Sequence, residues 1–288
     1  MIPSGFDYFA PGSVAEAISL LTQHGDDAKI LAGGHSLLPA IKLRLSSPTV
    51  LIDISQIAEL QGIHVNGSVE IGAGATYHAV ASHAGVRDAC LVLAECVGQI
   101  GDIQVRNRGT VGGALAHSDP AADLTAVALA LGASFHIQGP AGTRTVAADD
   151  MFIEMLTTAI GHDEVLTKVS FPHLGAGEGA AYAKLRHPAS RYAIVGVAAY
   201  IKLDGGNVAV ARIAVTGAGP RAQRQSAAET ALVGTTGDEA AVAAAAEHAG
   251  EELDFIMGDI HASEDYRRAM VKVYARRALT AALARARG

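Results

Sequence analysis

Tryptophan is absent from this 288-residue chain, aromatic residues of all kinds make up 5%, and cysteine occurs only as Cys90 and Cys96. Two thiols cannot supply the four thiolates of an ordinary iron–sulfur cluster, nor a disulfide framework. Any cluster that works with this chain must therefore sit on another one, and the cysteines read as two small buried hydrophobes on one helix. An excess of basic charge is also missing: 22 Lys and Arg against 29 Asp and Glu give a net charge of −7. That balance excludes broad attraction to phosphate polymers, so no nucleic-acid partner is expected. No uninterrupted apolar run reaches the roughly 18 residues of a membrane span. Met1 to Phe6 lacks the basic region and apolar stretch of a secretory signal, so a soluble, cytoplasmic protein is expected.

The familiar catalytic signatures are missing as well. No dinucleotide fingerprint of Rossmann spacing occurs, and no Walker-type loop, which disfavours an ordinary NAD dehydrogenase and nucleotide hydrolysis. There is no His-Glu-x-x-His or Cys-x-x-Cys, and Gly34-His35-Ser36-Leu37-Leu38 lacks the second glycine of a hydrolase nucleophile elbow. Neither a catalytic side chain nor a metal-ligand set is expected.

What is present suits a well-packed interior. Half the residues are hydrophobic, 18% are charged and the mean hydropathy is +0.26. This favours two or three compact units and sizeable contacts with partner chains. Val14 to Leu21 has helical spacing, with Ser13 as cap and His24-Gly25 as stop. Lys29 to Ala32 reads as a buried strand running into Gly33-Gly34, and Val50 to Ile54 and Val69 to Ile71 as further strands. Helix is predicted from Asp88 to about Ile100, with Leu91, Ala94, Cys96 and Val97 inward, and again from Ala122 to Leu131. Composition shifts around Phe171-Pro172 and Gly175 to Gly179, which places the main boundary near residue 175. Beyond it, Ile194 to Leu203 and Val208 to Val215 flank Asp204-Gly205-Gly206-Asn207, the signature of a tight hairpin. Ala227 to Glu252 and Ser263 to Ala286 read as helical. The basic residues of the last helix, Arg267, Arg268, Lys272, Arg276, Arg277, Arg285 and Arg287, read as a solvated face.

Two glycine-rich segments carry the chemistry: Ala32-Gly33-Gly34-His35-Ser36 and Thr110-Val111-Gly112-Gly113-Ala114. Without a Cβ in the way, main-chain amides can approach an anion, and successive amides can form a concave nest. Ser36 and Thr110 would add hydroxyl donors. Each segment alone reads more readily as an ordinary strand-to-helix turn than as an anion cradle. Together, they suggest two bends gripping one extended dinucleotide.

In full, the segments are Leu31-Ala32-Gly33-Gly34-His35-Ser36-Leu37-Leu38-Pro39 and Gln104-Val105-Arg106-Asn107-Arg108-Gly109-Thr110-Val111-Gly112-Gly113, followed by Asp119-Pro120-Ala121-Ala122-Asp123. So composed, the chain resembles the FAD-binding medium subunits of the carbon monoxide dehydrogenase and xanthine dehydrogenase family, the molybdenum hydroxylases, over essentially its whole length. The resemblance implies that Ala32 through Ser36 and Thr110 through Ala114 contact the FAD pyrophosphate, with Leu37 beside them among the cofactor-binding residues. Position 114 departs from the family, because many relatives carry Asn there; Ala114 removes a side-chain hydrogen bond and leaves the main chain. Asp123 matches a carboxylate that holds the cofactor. Ile100, Leu166 and Lys184 match further contacts, and Tyr192 matches a tyrosine that shields the isoalloxazine ring. His35 is expected to be a neutral hydrogen-bonding imidazole. Arg106 and Arg108 either anchor the second bend, contact a neighbouring subunit or are simply solvated.

The implied fold is α+β: two N-terminal α/β subdomains of the FAD-binding PCMH type, then a small antiparallel sheet with helices. The division is 1–175 for FAD binding, with an inner boundary near 55–60, and 176–288 for the C-terminal domain. The implied partners are a large molybdopterin subunit and a small subunit with 2Fe–2S clusters, in a dimer of heterotrimers, a heterohexamer, with peripheral membrane association through the acceptor. A carbon monoxide dehydrogenase-type complex is preferred. The alternatives are a homologue acting on aldehydes, N-heterocycles or aromatic thioesters, or a self-sufficient flavin oxidoreductase.

Overall fold

The computed structural model describes residues 2–253 and 255–288. It opens on a small parallel sheet in the order β1-β3-β2, built from β1 (Asp7–Phe9), α1 (Val14–His24), β2 (Ala28–Leu31), α2 (Leu37–Lys42) and β3 (Val50–Asp53). α1 forms as its sequence predicts. Ser13 accepts the Glu16 amide at its start, Val14, Ala17, Ile18 and Leu21 bury one face, and Gly25 closes it at φ 53°. The chain leaves the carboxyl end of β2 directly into Gly33-Gly34, the edge of a parallel sheet where open α/β folds place ligands.

The second unit begins with β4 (Ile63–Val65) and β5 (Ser68–Gly72) and then turns helical. Its helices are α3 (Tyr77–Ser82), α4 (Ala84–Ala89), α5 (Leu91–Gly98), α6 (Ile103–Arg108), α7 (Val111–His117) and α8 (Asp123–Leu131). There follow β6 (Ser134–Gly139), β7 (Gly142–Ala147), α9 (Ala148–Met151), the short hairpin of β8 (Phe152–Glu154) and β9 (Thr157–Thr158), and β10 (Val165–Pro172). β10 returns to the middle of the sheet, giving the antiparallel order β4-β5-β10-β6-β7.

The helix expected from Asp88 to Ile100 is two helices. Cys90, at φ −157° and ψ 72°, ends α4 and starts α5. Both cysteines are buried as expected, but the break restarts the helical register, so Leu91 is 39% exposed while Val92, Leu93, Ala94, Cys96 and Val97 face the core.

The third unit is an antiparallel sheet, β11 (Glu178–Arg186), β12 (Ala193–Asp204), β13 (Asn207–Thr216) and β14 (Gln223–Arg224), covered by α10 (Ser226–Leu232), α11 (Glu239–Glu247) and α12 (Glu264–Arg287). The β12–β13 hairpin turns on Gly205 and Gly206, both at positive φ, as the sequence predicts. The expected helix over 227–252 is split, because Gly234 and Gly237 adopt positive φ between α10 and α11.

The basic face of α12 is also not wholly solvated. Arg267 is 6% exposed. It donates to the Ile194 and Gly217 carbonyls and to Asp259, which fixes the start of α12 on the sheet. Arg285 grips both Glu95 oxygens at 2.7 and 2.8 Å and also donates to the Ala180 carbonyl. Helix α12 is thereby tied to α5 of the preceding unit. The half-exposed pair itself contributes at most about 1 kcal/mol, so it directs the docking more than it drives it.

Candidate functional site

A cleft opens where the three units meet. The first bend contributes His35 and Ser36, and α7 contributes Ala114 and His117. Asp119, Ala122, Asp123 and Leu124 form another wall, Tyr77, Ile100, Gly101 and Val105 a third, and Ser190, Arg191 and Tyr192 arrive from the β11–β12 connection. Six of the residues singled out by resemblance thus share one cavity: His35, Ser36, Ile100, Ala114, Asp123 and Tyr192.

The two glycine bends are in contact. A Cβ on Gly33 would collide with the Arg108 carbonyl oxygen and crowd Gly109 Cα. Glycine at position 33 is therefore what allows the main chains to touch. The two bends differ, however, in what their amides do. Among the described residues, the amides of Gly33, Gly34, His35, Ser36 and Leu37 meet no protein acceptor. Gly34 lies at φ 76°, the alternation of backbone hand that curls successive N–H groups into an anion nest.

In the second bend the amides from Val111 to Ala114 are already occupied. The Val111 and Gly112 amides donate to the Ala75 and Ala73 carbonyls, each at 2.9 Å, and the Ala114 amide to the Thr110 carbonyl. Thr110 Oγ1 accepts from the Gly113 amide at 3.0 Å and caps α7. The expected pair of amide nests is therefore one nest and one brace. The second bend is closed by the turn at 73–75, and a Cβ on Gly112 would run into the Ala73 main chain.

Asp123, the first residue of α8, is 4% exposed although it lines the cleft. Tyr182 donates to its Oδ1 at 2.5 Å. Lys184 Nζ stands 2.8 Å from Oδ1 and 2.9 Å from Oδ2, with its own side chain 1% exposed. Burial pushes the carboxyl pKa up, opposed by the Lys184 ammonium and by hydrogen bonds from Lys184 and Tyr182. Losing one partner of such a buried pair typically costs about 3–5 kcal/mol. Lys184 thus meets the cleft through Asp123. Leu166 is 5% exposed within the β10–β6 pairing and does not line the cleft.

The remaining wall is assembled by long-range contacts. Arg106 donates to the Ile100 and Gly101 carbonyls at 3.0 and 2.9 Å, so it anchors that turn. From the opposite side, Arg191, at φ 61°, donates to the Gly101 carbonyl. The next residue, Tyr192, is 45% exposed overall, yet its phenol lies deep enough for burial to raise its pKa, ahead of the Asp119 charge and against a Ser36 hydrogen bond. Tyr77 is buried beneath the second bend, its ring against Gly109, and burial drives its pKa up.

Sequence reasoning missed Tyr77, His117, Asp119 and Arg191. Asp119 had a signal, since its carboxylate accepts the Ala121 amide in an Asp-Pro turn leading into α8. The others are brought to the cleft by tertiary packing alone.

Two family models span most of the chain: an FAD binding domain in molybdopterin dehydrogenase over residues 4–174, and a CO dehydrogenase flavoprotein C-terminal domain over residues 180–282. The chain is 43% identical to the carbon monoxide dehydrogenase medium chain of Hydrogenophaga pseudoflava, covering 99% of each. It is 37% identical to the 6-hydroxypseudooxynicotine dehydrogenase complex subunit alpha of Paenarthrobacter nicotinovorans, covering 100% of this chain and 97% of that one. The solved Hydrogenophaga pseudoflava carbon monoxide dehydrogenase lacking the Mo-pyranopterin moiety superimposes with a TM-score of 0.95 at 44% identity over 99% of both chains.

Proposed function

The chain belongs to the FAD-binding medium subunits of the molybdenum hydroxylases, and from that premise we propose that it passes electrons from a partner's iron–sulfur clusters through FAD to an external acceptor, in a complex of the carbon monoxide dehydrogenase type. Substrate oxidation falls to the large molybdenum subunit. The observation that carries the reading is the run of unpartnered amides from Gly33 to Leu37, whose His35 and Ser36 line the cleft that holds Asp123. An anionic diphosphate fits such a nest, and a carboxylate suits ribose or ribityl hydroxyls.

In this reading Ala32 through Leu37 hold the pyrophosphate. Thr110, Val111, Gly112, Gly113 and Ala114, packed on the turn at 73–75, form the second cofactor-contacting segment, with Ala114 in the cleft wall. Asp123 accepts from cofactor hydroxyls with Lys184 behind it, Ile100 and Tyr192 cover flat ring surface, and Leu166 stays in the buried core. When bound, the flavin supplies the exchange between one-electron arrivals and two-electron departures. The chain's own residues bind, orient and shield it. Residues 1–175 form the FAD-binding domain, divided near 55–60 between β3 and β4, and 176–288 the C-terminal domain.

The proposed assembly, a dimer of heterotrimers with a molybdopterin chain and a 2Fe–2S chain, is cytoplasmic and meets a membrane only at its periphery through the acceptor. Within the described residues no helix is long and apolar enough to cross a membrane.

Purification tests the division of labour. The chain alone should bind FAD, with flavin absorbance, and should leave carbon monoxide unoxidised. The intact complex should oxidise carbon monoxide and reduce an artificial acceptor. Turnover by the isolated chain, or a colourless chain that resists reconstitution with FAD, would overturn the reading.

A further inference from the structure

The carboxylate at the cleft belongs to one unit, and the groups that hold it belong to another. Asp123 starts α8, whereas Tyr182 and Lys184 lie two residues apart on one face of β11 in the C-terminal sheet. The Tyr182 hydroxyl has a built seat: opposite Lys184 on β12 stands Gly196, and a Cβ there would collide with the Tyr182 hydroxyl oxygen. Tyr182 and one Lys184 contact crowd Oδ1, while Oδ2 receives Lys184 alone. A carboxylate offers about four lone-pair sites, so Oδ2 keeps the freer acceptor capacity.

We propose that Tyr182 is a positioning residue for FAD: it acts through Asp123, and with Lys184 it fixes from the C-terminal sheet which carboxylate oxygen is presented to the cofactor's hydroxyls. FAD affinity is then governed partly by a domain that supplies little of the cleft's wall. The inference rests on the reading of Asp123 as a cofactor contact.

A purely structural tyrosine would be replaceable by phenylalanine without a pH signature, because the ring fills the same space. A positioning tyrosine has one. Asp123 is faced by Tyr182 and Lys184 from β11, Cys96 from α5, Tyr77 from α3 and Tyr192 from the β11–β12 connection. Among these, Lys184 and Tyr182 are the groups that lower the carboxyl pKa against its burial. Without the hydroxyl, the carboxyl pKa rises further, and protonation removes the best acceptor for a hydroxyl at a higher pH.

The test is FAD binding to the full-length chain, titrated by quenching of flavin fluorescence from pH 5 to 8, beside thermal melting of the FAD-free chain. Tyr182→Phe should bind FAD about tenfold more weakly at pH 7, equivalent to about 1.4 kcal/mol, and the deficit should widen as the pH falls. Wild-type affinity for Y182F across the range, or a deficit of the same size at every pH, would overturn the proposal. Asp123→Asn separates the two layers. If D123N binds FAD like the wild type, the reading of Asp123 itself fails; if D123N is weakened while Y182F is not, only the role of Tyr182 fails. Should Y182F not fold, Gly196→Ala carries the test, since its methyl displaces the hydroxyl from its seat. G196A should reproduce the widening deficit, and a wild-type binding profile from a folded G196A would overturn the proposal equally.

Discussion

The two glycine bends look alike as strings of residues and behave differently in the fold. Ala32-Gly33-Gly34-His35-Ser36 leaves its amides open at the carboxyl end of a parallel strand, whereas in Thr110-Val111-Gly112-Gly113-Ala114 the four amides from Val111 onward go to Ala75, Ala73 and Thr110. The glycines serve different ends accordingly. Gly34 supplies a left-handed backbone, while Gly33 and Gly112 supply close approach. One bend keeps donors free for a ligand, and the other ties its own to the turn at 73–75. A double-glycine motif by itself says only that a main chain comes close to something; it does not say whether that something is a ligand or another part of the protein.

Substitutions can sharpen or break this contrast. The largest effect is expected at Gly112→Ala, whose methyl meets unyielding Ala73 main chain. Overpacking of this kind costs about 3 kcal/mol, or roughly 6–12 °C in Tm for a chain of this size. The loss should appear in calorimetry of the FAD-free protein, and an unchanged Tm would show the second bend to be looser than described. Gly34→Ala should do the reverse. Its positive φ costs an L-residue about 1–2 kcal/mol, so FAD affinity should fall about tenfold, while the half-exposed bend relaxes and the FAD-free Tm moves little. Equal affinity by fluorescence titration would remove the first bend from the site.

The hydroxyls make a smaller, paired comparison. Thr110→Ala loses the cap of α7 and about 1 kcal/mol of stability, a fall of roughly 2–4 °C. Ser36 makes no capping bond to α2. Ser36→Ala should therefore leave the Tm unchanged and weaken FAD binding by up to about fivefold, the size of one hydrogen bond. A Tm loss in S36A, or an unaltered Tm in T110A, would erase the distinction between the bends.

The smallest effect is a pH dependence. Asp102 caps α6, the helix leading into the second bend, and the Val105 amide followed by the Gln104 amide hold its carboxyl below the usual aspartate value. A lowered carboxyl pKa stabilises the fold above the unfolded-state value and loses that contribution as pH falls through the folded one, below about pH 4. No acidic residue stands in the first turn of α2. Acid should therefore lower the protection of amides 103–108 against hydrogen exchange, relative to their intrinsic rates, before that of 37–42, and simultaneous loosening would contradict it.

How much was legible in the sequence follows the range of the forces involved. Helix α1, with Ser13 and Gly25 at its ends, and the Gly205-Gly206 hairpin were readable, because capping and turn geometry are decided within a few residues. The break at Cys90, the split at Gly234 and Gly237 and the burial of Arg267 were not. The first two interrupt an apolar helical pattern through backbone angles at Cys90, Gly234 and Gly237 that the pattern does not show, and Arg267 finds its acceptors at Ile194 and Gly217, far along the chain. The candidate site divides in the same way. His35, Ser36 and Asp123 stood in recognisable segments, whereas Tyr77, His117 and Arg191 stood in none.

By itself, then, the sequence determined the capped helix α1, the late hairpin, the presence of two glycine-rich segments able to let main chain come close to something, and the requirement that any iron–sulfur cluster lie on another chain. Only the tertiary structure decided which bend keeps its amides free, and that Asp123 is held by a tyrosine and a lysine about sixty residues away. The reason is physical: an amide can be assigned to a ligand only once its intramolecular acceptors are known, and a buried carboxylate is fixed by whichever donors the fold brings within hydrogen-bond reach.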